Sequence, residues 1–234
     1  MENKSLIFLV IGAIFFPILI VACFVTDKEF LFAKEPTDIF QLIEEEGEPT
    51  KNAYVSIDVD ASLDWYAETK HTTNGIPTGK EKHYLIWLDD TSFISLTTSG
   101  KKNYEKLSDI TTTTFEYLNG VAMYLPEPVK FEGQVKTMNS EIREYYEDAL
   151  YDWGITVEDG MTIYYVTIDS TSTPMKEWAG IIVMTIVEII IIIFIAREVK
   201  SYKMMKAQAA AAKATALLYD NSDPVTDENN NLYS

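Results

Sequence analysis

Residues 178–196 read Trp-Ala-Gly-Ile-Ile-Val-Met-Thr-Ile-Val-Glu-Ile-Ile-Ile-Ile-Ile-Phe-Ile-Ala, with Glu188 their only charge, and Arg197, Lys200, Lys203 and Lys206 follow directly. A helix needs roughly 20 mainly apolar residues to cross the hydrocarbon layer, and Trp178 and Arg197 stand where an aromatic belt and a cationic flank belong. A transmembrane helix is therefore predicted over 176–199. The four basic residues are expected on the cytoplasmic side, against anionic lipid.

A second apolar run covers residues 6–25, with Lys4 before it and Asp27, Lys28 and Glu29 after it. It predicts an N-terminal anchor over 1–26. With a cationic residue outside each run, both termini fall in the cytoplasm and residues 27–175 form an extracytoplasmic domain at the cell membrane. The same N-terminus has a competing reading. Residues 20–23, Ile-Val-Ala-Cys, resemble a bacterial lipobox, which would lipidate Cys23 and cleave the chain before it, whereas Phe24 and Val25 carry the apolar run past the point where a lipoprotein turns polar. Either way the middle of the chain stays outside.

That middle segment, about 150 residues, has the size of one domain with its own core. It also carries nearly all of the net charge of −17: residues 26–177 hold 13 Lys and Arg against 29 Asp and Glu, a balance of −16. Such a surface repels phosphate, so nucleic acid is not an expected partner. A single cysteine excludes an internal disulfide and a multi-cysteine metal site.

Hydrophobic periodicity divides the domain. Residues 36–47 predict a short amphipathic helix that starts at Thr37 or Asp38 and stops at Gly47. In residues 54–61, Val55, Ile57, Val59 and Ala61 alternate with Ser56, Asp58 and Asp60, the pattern of a half-buried strand. Residues 71–82, with Asn74-Gly75, Pro77 and Gly79, read as a turn-rich loop, and residues 83–97 as a β-hairpin. A helix from Ser108 to Leu118 contains the poor helix former Thr111 to Thr114. Strands follow at 121–125, 129–136 and 161–168, and Gly133 on an apolar face implies a bulge or a close backbone approach. Between them Ile142, Tyr145, Tyr146, Ala149, Leu150 and Trp153 recur at helical spacing after Asn139-Ser140. The expected class is α+β: two transmembrane helices flanking one extracytoplasmic domain, built as a curled antiparallel sheet or small open β-barrel with two or three helices. Residues 200–219 predict a basic, Ala-rich cytoplasmic helix and residues 220–234 a disordered tail.

No Ser-His-Asp arrangement, phosphate loop or Cys/His spacing appears, so neither cofactor nor metal is expected. Asp58, Asp60 and Asp64 share acidity but lack a calcium loop. His71, Asn74, Gly75, Lys80, Lys82 and His83 mark the loop expected to form the mouth of any ligand site. Glu188 stands out more, because a carboxylate within an apolar span is costly unless it finds a partner. A local hydrogen bond from Thr185 or backbone satisfies it, as does a polar group on another subunit or a second copy of the chain.

Span, outer domain, span and basic tail together, with local pattern in residues 83–90 and 128–137, resemble a group of uncharacterised two-pass membrane proteins of Gram-positive bacteria. The resemblance implies a class and carries no activity or site residues. The chain is accordingly expected to be a non-catalytic, membrane-anchored envelope protein, an accessory or scaffold subunit of a membrane complex. The alternatives are an extracytoplasmic ligand-sensing module and, third, a cell-envelope hydrolase.

Overall fold

The computed structural model describes residues 3–220. The described residues form two compact units, Val21–Ile182 and a helical unit that joins residues 3–20 with residues 183–220. The elements in order are α1 (Asn3–Thr26), α2 (Lys28–Phe32), β1 (Thr37–Asp38), α3 (Ile39–Glu46), β2 (Tyr54–Val59), β3 (Ser62–Thr73), β4 (Ile76–Asp89) and β5 (Ser92–Ser99). They continue with α4 (Lys101–Leu118), β6 (Val129–Thr137), α5 (Ser140–Asp152), β7 (Thr162–Asp169) and α6 (Pro174–Asp220).

Local chemistry sets several boundaries. The Asp38 carboxylate accepts from the backbone N–H of Phe40 and Gln41, and Gly47 closes α3 at φ 84°. Asn139 caps α5 by accepting from the Ile142 N–H at 2.8 Å. These caps satisfy amide donors that the first turn leaves unpaired.

Seven strands form one sheet in the order β1-β2-β6-β7-β5-β4-β3. The β1–β2 and β5–β7 pairs are parallel and the other four antiparallel. On one face Val55, Ile57, Phe131, Val135, Ile168, Ile94, Leu96, Tyr84 and Ile86 pack with Ile39 and Leu42 of α3 and Leu107 and Ile110 of α4. On the other, Leu63, Ala67, Leu85 and Phe93 pack with Ile142, Tyr146 and Leu150 of α5. Helices on both faces of a sheet give three layers.

The expected curled antiparallel sheet or small barrel is therefore corrected to an open mixed sheet with β1 and β3 at its edges. The physical reason is that α3 returns the chain beside β1 in the same direction, and the path through α4, β6 and α5 does the same for β7 beside β5. Strand β5 is buried from Ser92 to Thr98 on both faces, and its small hydroxyl residues hide that burial from a count of apolar residues. Residues 71–82, expected as a loop, are paired strand on either side of the Asn74–Gly75 turn, in the outer half of the β3–β4 ribbon. Register shifts in the β3–β4 pairing fall at Ser62/Trp65, Trp65/Ala67 and His71/Thr72. Residues 121–125, expected as a strand, are irregular and mostly exposed.

In the helical unit, partly or fully buried positions on α6 recur at Met184, Glu188, Ile191, Ile195 and Glu198, the 3–4 spacing of a coiled-coil seam. Gly12, Ala13, Phe16 and Ile20 make the matching stripe on α1, and a Cβ at Gly12 would lie 3.6 Å from Ile191 Cδ1. Ile186, Ile189, Ile190 and Ile193 point outward and are exposed.

Among the described residues one helix is long and apolar enough to cross a membrane, over Pro174–Ala216. Among the described residues Val10–Thr26 of α1 is a shorter apolar helix, about 26 Å at helical rise against a hydrocarbon layer of about 30 Å. The expectation of two spanning helices flanking the domain, and with it the two-span topology with both termini cytoplasmic, is corrected to one. Helix α6 continues unbroken to Asp220, and residues 221–234, most of the expected disordered tail, lie outside the described residues.

Candidate functional site

The C-terminal ends of α4 and α5 lie on opposite faces of the sheet and meet past the β3 edge, where Phe115 stacks on Trp153 with ring centroids 5.3 Å apart. Beneath them opens a recess of about 350 Å³ with Leu63, Leu85 and Ala149 as apolar lining, Trp65, Tyr66, Phe115, Tyr145 and Trp153 as aromatic lining, and Asp64, Asp148 and Asp152 as its charges. No lysine or arginine lines it. The two bulges that open β3 re-aim its side chains here. Asp64 takes φ 92°, an uncommon conformation for a residue with a Cβ, and its carboxylate accepts from the Trp65 N–H at 2.7 Å.

Local energetics run against this arrangement. Asp148 and Asp152 are four residues apart in the last turns of α5, which hold no basic residue. Like charges at that spacing cost about 0.2–0.5 kcal/mol, and a negative charge beside the carbonyl end of a helix about 0.3–1 kcal/mol, the low end applying at exposed positions. Nothing in the packing of α5 requires either aspartate, since its buried residues are Ile142, Tyr146 and Leu150.

Tyr66 connects the recess to a hydrogen-bonded chain inside the sheet. Its hydroxyl is 2.6 Å from Ser95 Oγ, which donates to Thr167 Oγ1 at 3.1 Å. Thr167 is 2.8 Å from Thr97, Thr97 is 2.8 Å from His83 Nδ1, and His83 Nε2 is 3.0 Å from Thr69. Each hydroxyl has one proton to give, and Ser95 gives its own to Thr167, so Tyr66 donates to Ser95. Burial pushes the His83 ring below the ordinary histidine range, against the pull of the Glu81 and Asp169 charges. Burial raises the Tyr66 phenol, and the Ser95 hydrogen bond opposes it. The Tyr146 hydroxyl and Trp87 Nε1 are buried in the same layer without a hydrogen-bond partner. Thr97 on His83 has the geometry of a nucleophile on a base, but Thr97 is 3% exposed and lines neither recess.

A second recess, of about 410 Å³, lies at the opposite end of the sheet, lined by Asp27, Lys51, Asn52, Gln134, Lys136, Thr137 and Glu177. Two of its groups are paired: Gln134 donates to Asp27 at 3.2 Å, and Lys136 meets Asp169, outside the lining, at 2.6 Å. Burial raises the Asp169 carboxyl, but hydrogen bonds from Lys136 and Thr171 outweigh it and hold the group below the usual carboxylate range.

The residues expected at a ligand mouth are dispersed. Asn74 and Gly75 form the tip of the ribbon, both at positive φ. His71 meets Glu81 at 3.1 Å and Lys80 meets Glu68 at 3.1 Å, both at the surface, while Lys82 lies over the Trp65 ring at 4.3 Å. His83 is buried on the sheet opposite Ala67, and His71 pairs with Gly79. Four residues of strand, about 13 Å, separate the two histidines, so no shared site forms. No group of three His, Cys, Asp or Glu is placed to hold a metal among the described residues.

Cys23 is a free, half-buried thiol within α1, whose hydrogen bonding continues past it as the Asp27 N–H donates to its carbonyl at 3.0 Å. Glu188 is 7% exposed, and both its oxygens are covered without a hydrogen-bond partner among the described residues. Thr185 stands on the exposed side of α6 and does not bond to it. Because the chain itself covers both oxygens, a polar group of a second subunit reaches Glu188 only if the helix seam opens. Arg197, Lys200, Lys203 and Lys206 are all exposed; at steps of three each turns about 60° from the last, so together they cover about half of the helix circumference.

Sequence reasoning missed the recess because its lining comes from four separate elements. Its one sequence signal was the pair of aspartates at the end of a helix with an aromatic stripe. No curated protein and no solved structure matches the chain, and no enzyme relative is identified. Over residues 2–198, from α1 through the whole sheet domain to the end of the apolar part of α6, the chain matches the family described as Domain of unknown function (DUF8577), and it belongs to that family.

Proposed function

We propose that the chain is a membrane-anchored, non-catalytic envelope protein, an accessory or scaffold subunit of a membrane complex, which presents the far end of its sheet domain to a protein partner. One observation carries this reading. The segment after α4 exposes Val121 (75%), Met123 (81%) and Tyr124 (77%) beside the partly exposed Tyr117 and Leu118. Contiguous apolar exposure of this kind marks an interaction surface. Its position favours a protein over lipid, because it leads into Val129 at one end of β6, whereas the recess with Asp27 and Glu177 lies at the other end, beside Gln134 to Thr137. The length of β6 separates the two, about 26 Å.

Helix α6 supplies the anchor. The basic residues after its apolar part favour a cytoplasmic C-terminal extension and an extracytoplasmic sheet domain. A non-catalytic role is supported by the burial of the Thr97–His83 pair. To test the reading, a photo-crosslinking residue at position 123 is compared in cells with one at Asp90, on the β4–β5 turn. A discrete adduct at 123 that disappears in V121S/Y124S supports docking, and equal or no crosslinking at the two positions overturns it. The ligand-sensing alternative has a structural basis in the β3-edge recess and none at the hairpin tip.

A further inference from the structure

We propose that the recess at the β3 edge is a binding site for a small organic ammonium ion. The charged and aromatic parts of its lining attract a cation. Asp64, Asp148 and Asp152 supply negative charge, and Trp65, Tyr66, Tyr145 and Trp153 supply aromatic faces that attract ammonium groups. The carbonyl end of α5 adds partial negative charge, and neither α4 nor α5 has a basic residue in its last turn to neutralise it. Lys82 shows that the Trp65 ring accepts an ammonium at contact distance, 4.3 Å from the ring centroid.

The aspartates on α5 are the second line of argument. They repel each other and the helix end and are not among the buried residues of α5, and a bound cation relieves both repulsions. A metal ion fits poorly, because a hard cation needs converging oxygens, and these carboxylates are interspersed with rings in a place where no three acidic groups converge. An alkylammonium fits: its apolar body matches Leu63, Leu85 and the aromatic walls, and about 350 Å³ is the size of a small-molecule site.

The inference is independent of the docking surface, which the V121S/Y124S variant removes without touching the recess. The test uses full-length protein in a maltoside detergent, titrated by calorimetry and by tryptophan fluorescence with choline, butylammonium and spermidine. The control is 3,3-dimethylbutan-1-ol, the uncharged isostere of choline. Saturable binding of at least one ammonium below about 10 mM, with the isostere at least about tenfold weaker than choline if choline is the binder, or butanol likewise against butylammonium, supports the site. D148N/D152N is expected to weaken the bound ammonium by about tenfold or more, with an unchanged melting profile or a raised one. Isosteres that bind as well as the ammonium ions, affinity unchanged in D148N/D152N, or no saturable binding of any of the three would each overturn the proposal.

Discussion

Gly133 lies where two strands and a turn crowd together, and a Cβ there would fall 2.6 Å from the Asp169 carbonyl carbon and 2.8 Å from Ser170 N. The β2–β6 and β6–β7 registers run without a shift, so of the two arrangements the sequence allowed, a bulge and a close approach, the close approach is realised. Gly133→Ala is expected to destabilise the domain by about 1–3 kcal/mol through overpacking, read as a lowered urea midpoint. His83 gives a pH dependence. Its folded-state pKa is held below the unfolded value of 6.5, first by burial. The stability this confers is complete above 6.5 and is lost as pH falls from there through the folded pKa, because the unfolded state then binds the proton more readily. Melting temperature is expected to fall as pH drops below about 6.5, and His83→Gln to flatten that dependence. Loss from Asp169, whose pKa is lowered, sets in only below its ordinary value of 3.8. The two effects therefore separate along the pH axis.

At the scale of elements, α4 is helical where its sequence is weakest. Residues Thr111 to Thr114 are poor helix formers, yet Thr114 Oγ1 accepts from the fully buried Ser62 N–H at 3.2 Å and Thr111 donates to Ser62 Oγ at 3.1 Å. The hydroxyls join α4 to the start of β3, which propensity alone does not reveal. Thr114→Val keeps the side-chain shape but orphans that N–H, and should cost about 1–3 kcal/mol, measurable by thermal or denaturant unfolding. The opposite sign is expected at the end of α5. Asp152→Asn removes a like-charge contact and an unfavourable helix-end charge, so it should raise stability by up to about 0.5 kcal/mol while weakening ammonium binding. A stabilising change that lowers binding separates a functional carboxylate from a structural one.

At the scale of the whole molecule, α6 is the one described helix long and apolar enough to cross a membrane. Ile186 and Ile193 are on its exposed side, so I186D/I193D is expected to release the protein from membranes on alkaline extraction, where the native chain stays in the pellet. Much of this was legible in the sequence. The long apolar run, the caps at Asp38 and Asn139, the alternation of β2 and β6 and the stripe of α5 depend on neighbours close along the chain, and local spacing reports them directly. Tertiary structure alone decided the strand order, the parallel β5–β7 pair, the double-sided burial of β5 and the enclosure of Glu188 in its own helix seam. It alone gathered residues 63–66, Phe115 and residues 145–153 around one recess, and it left the histidines of the β3–β4 ribbon apart. Periodicity states which face of an element is apolar. Which other element covers that face depends on packing between segments distant in the chain, and a list of residues in order does not encode that distance.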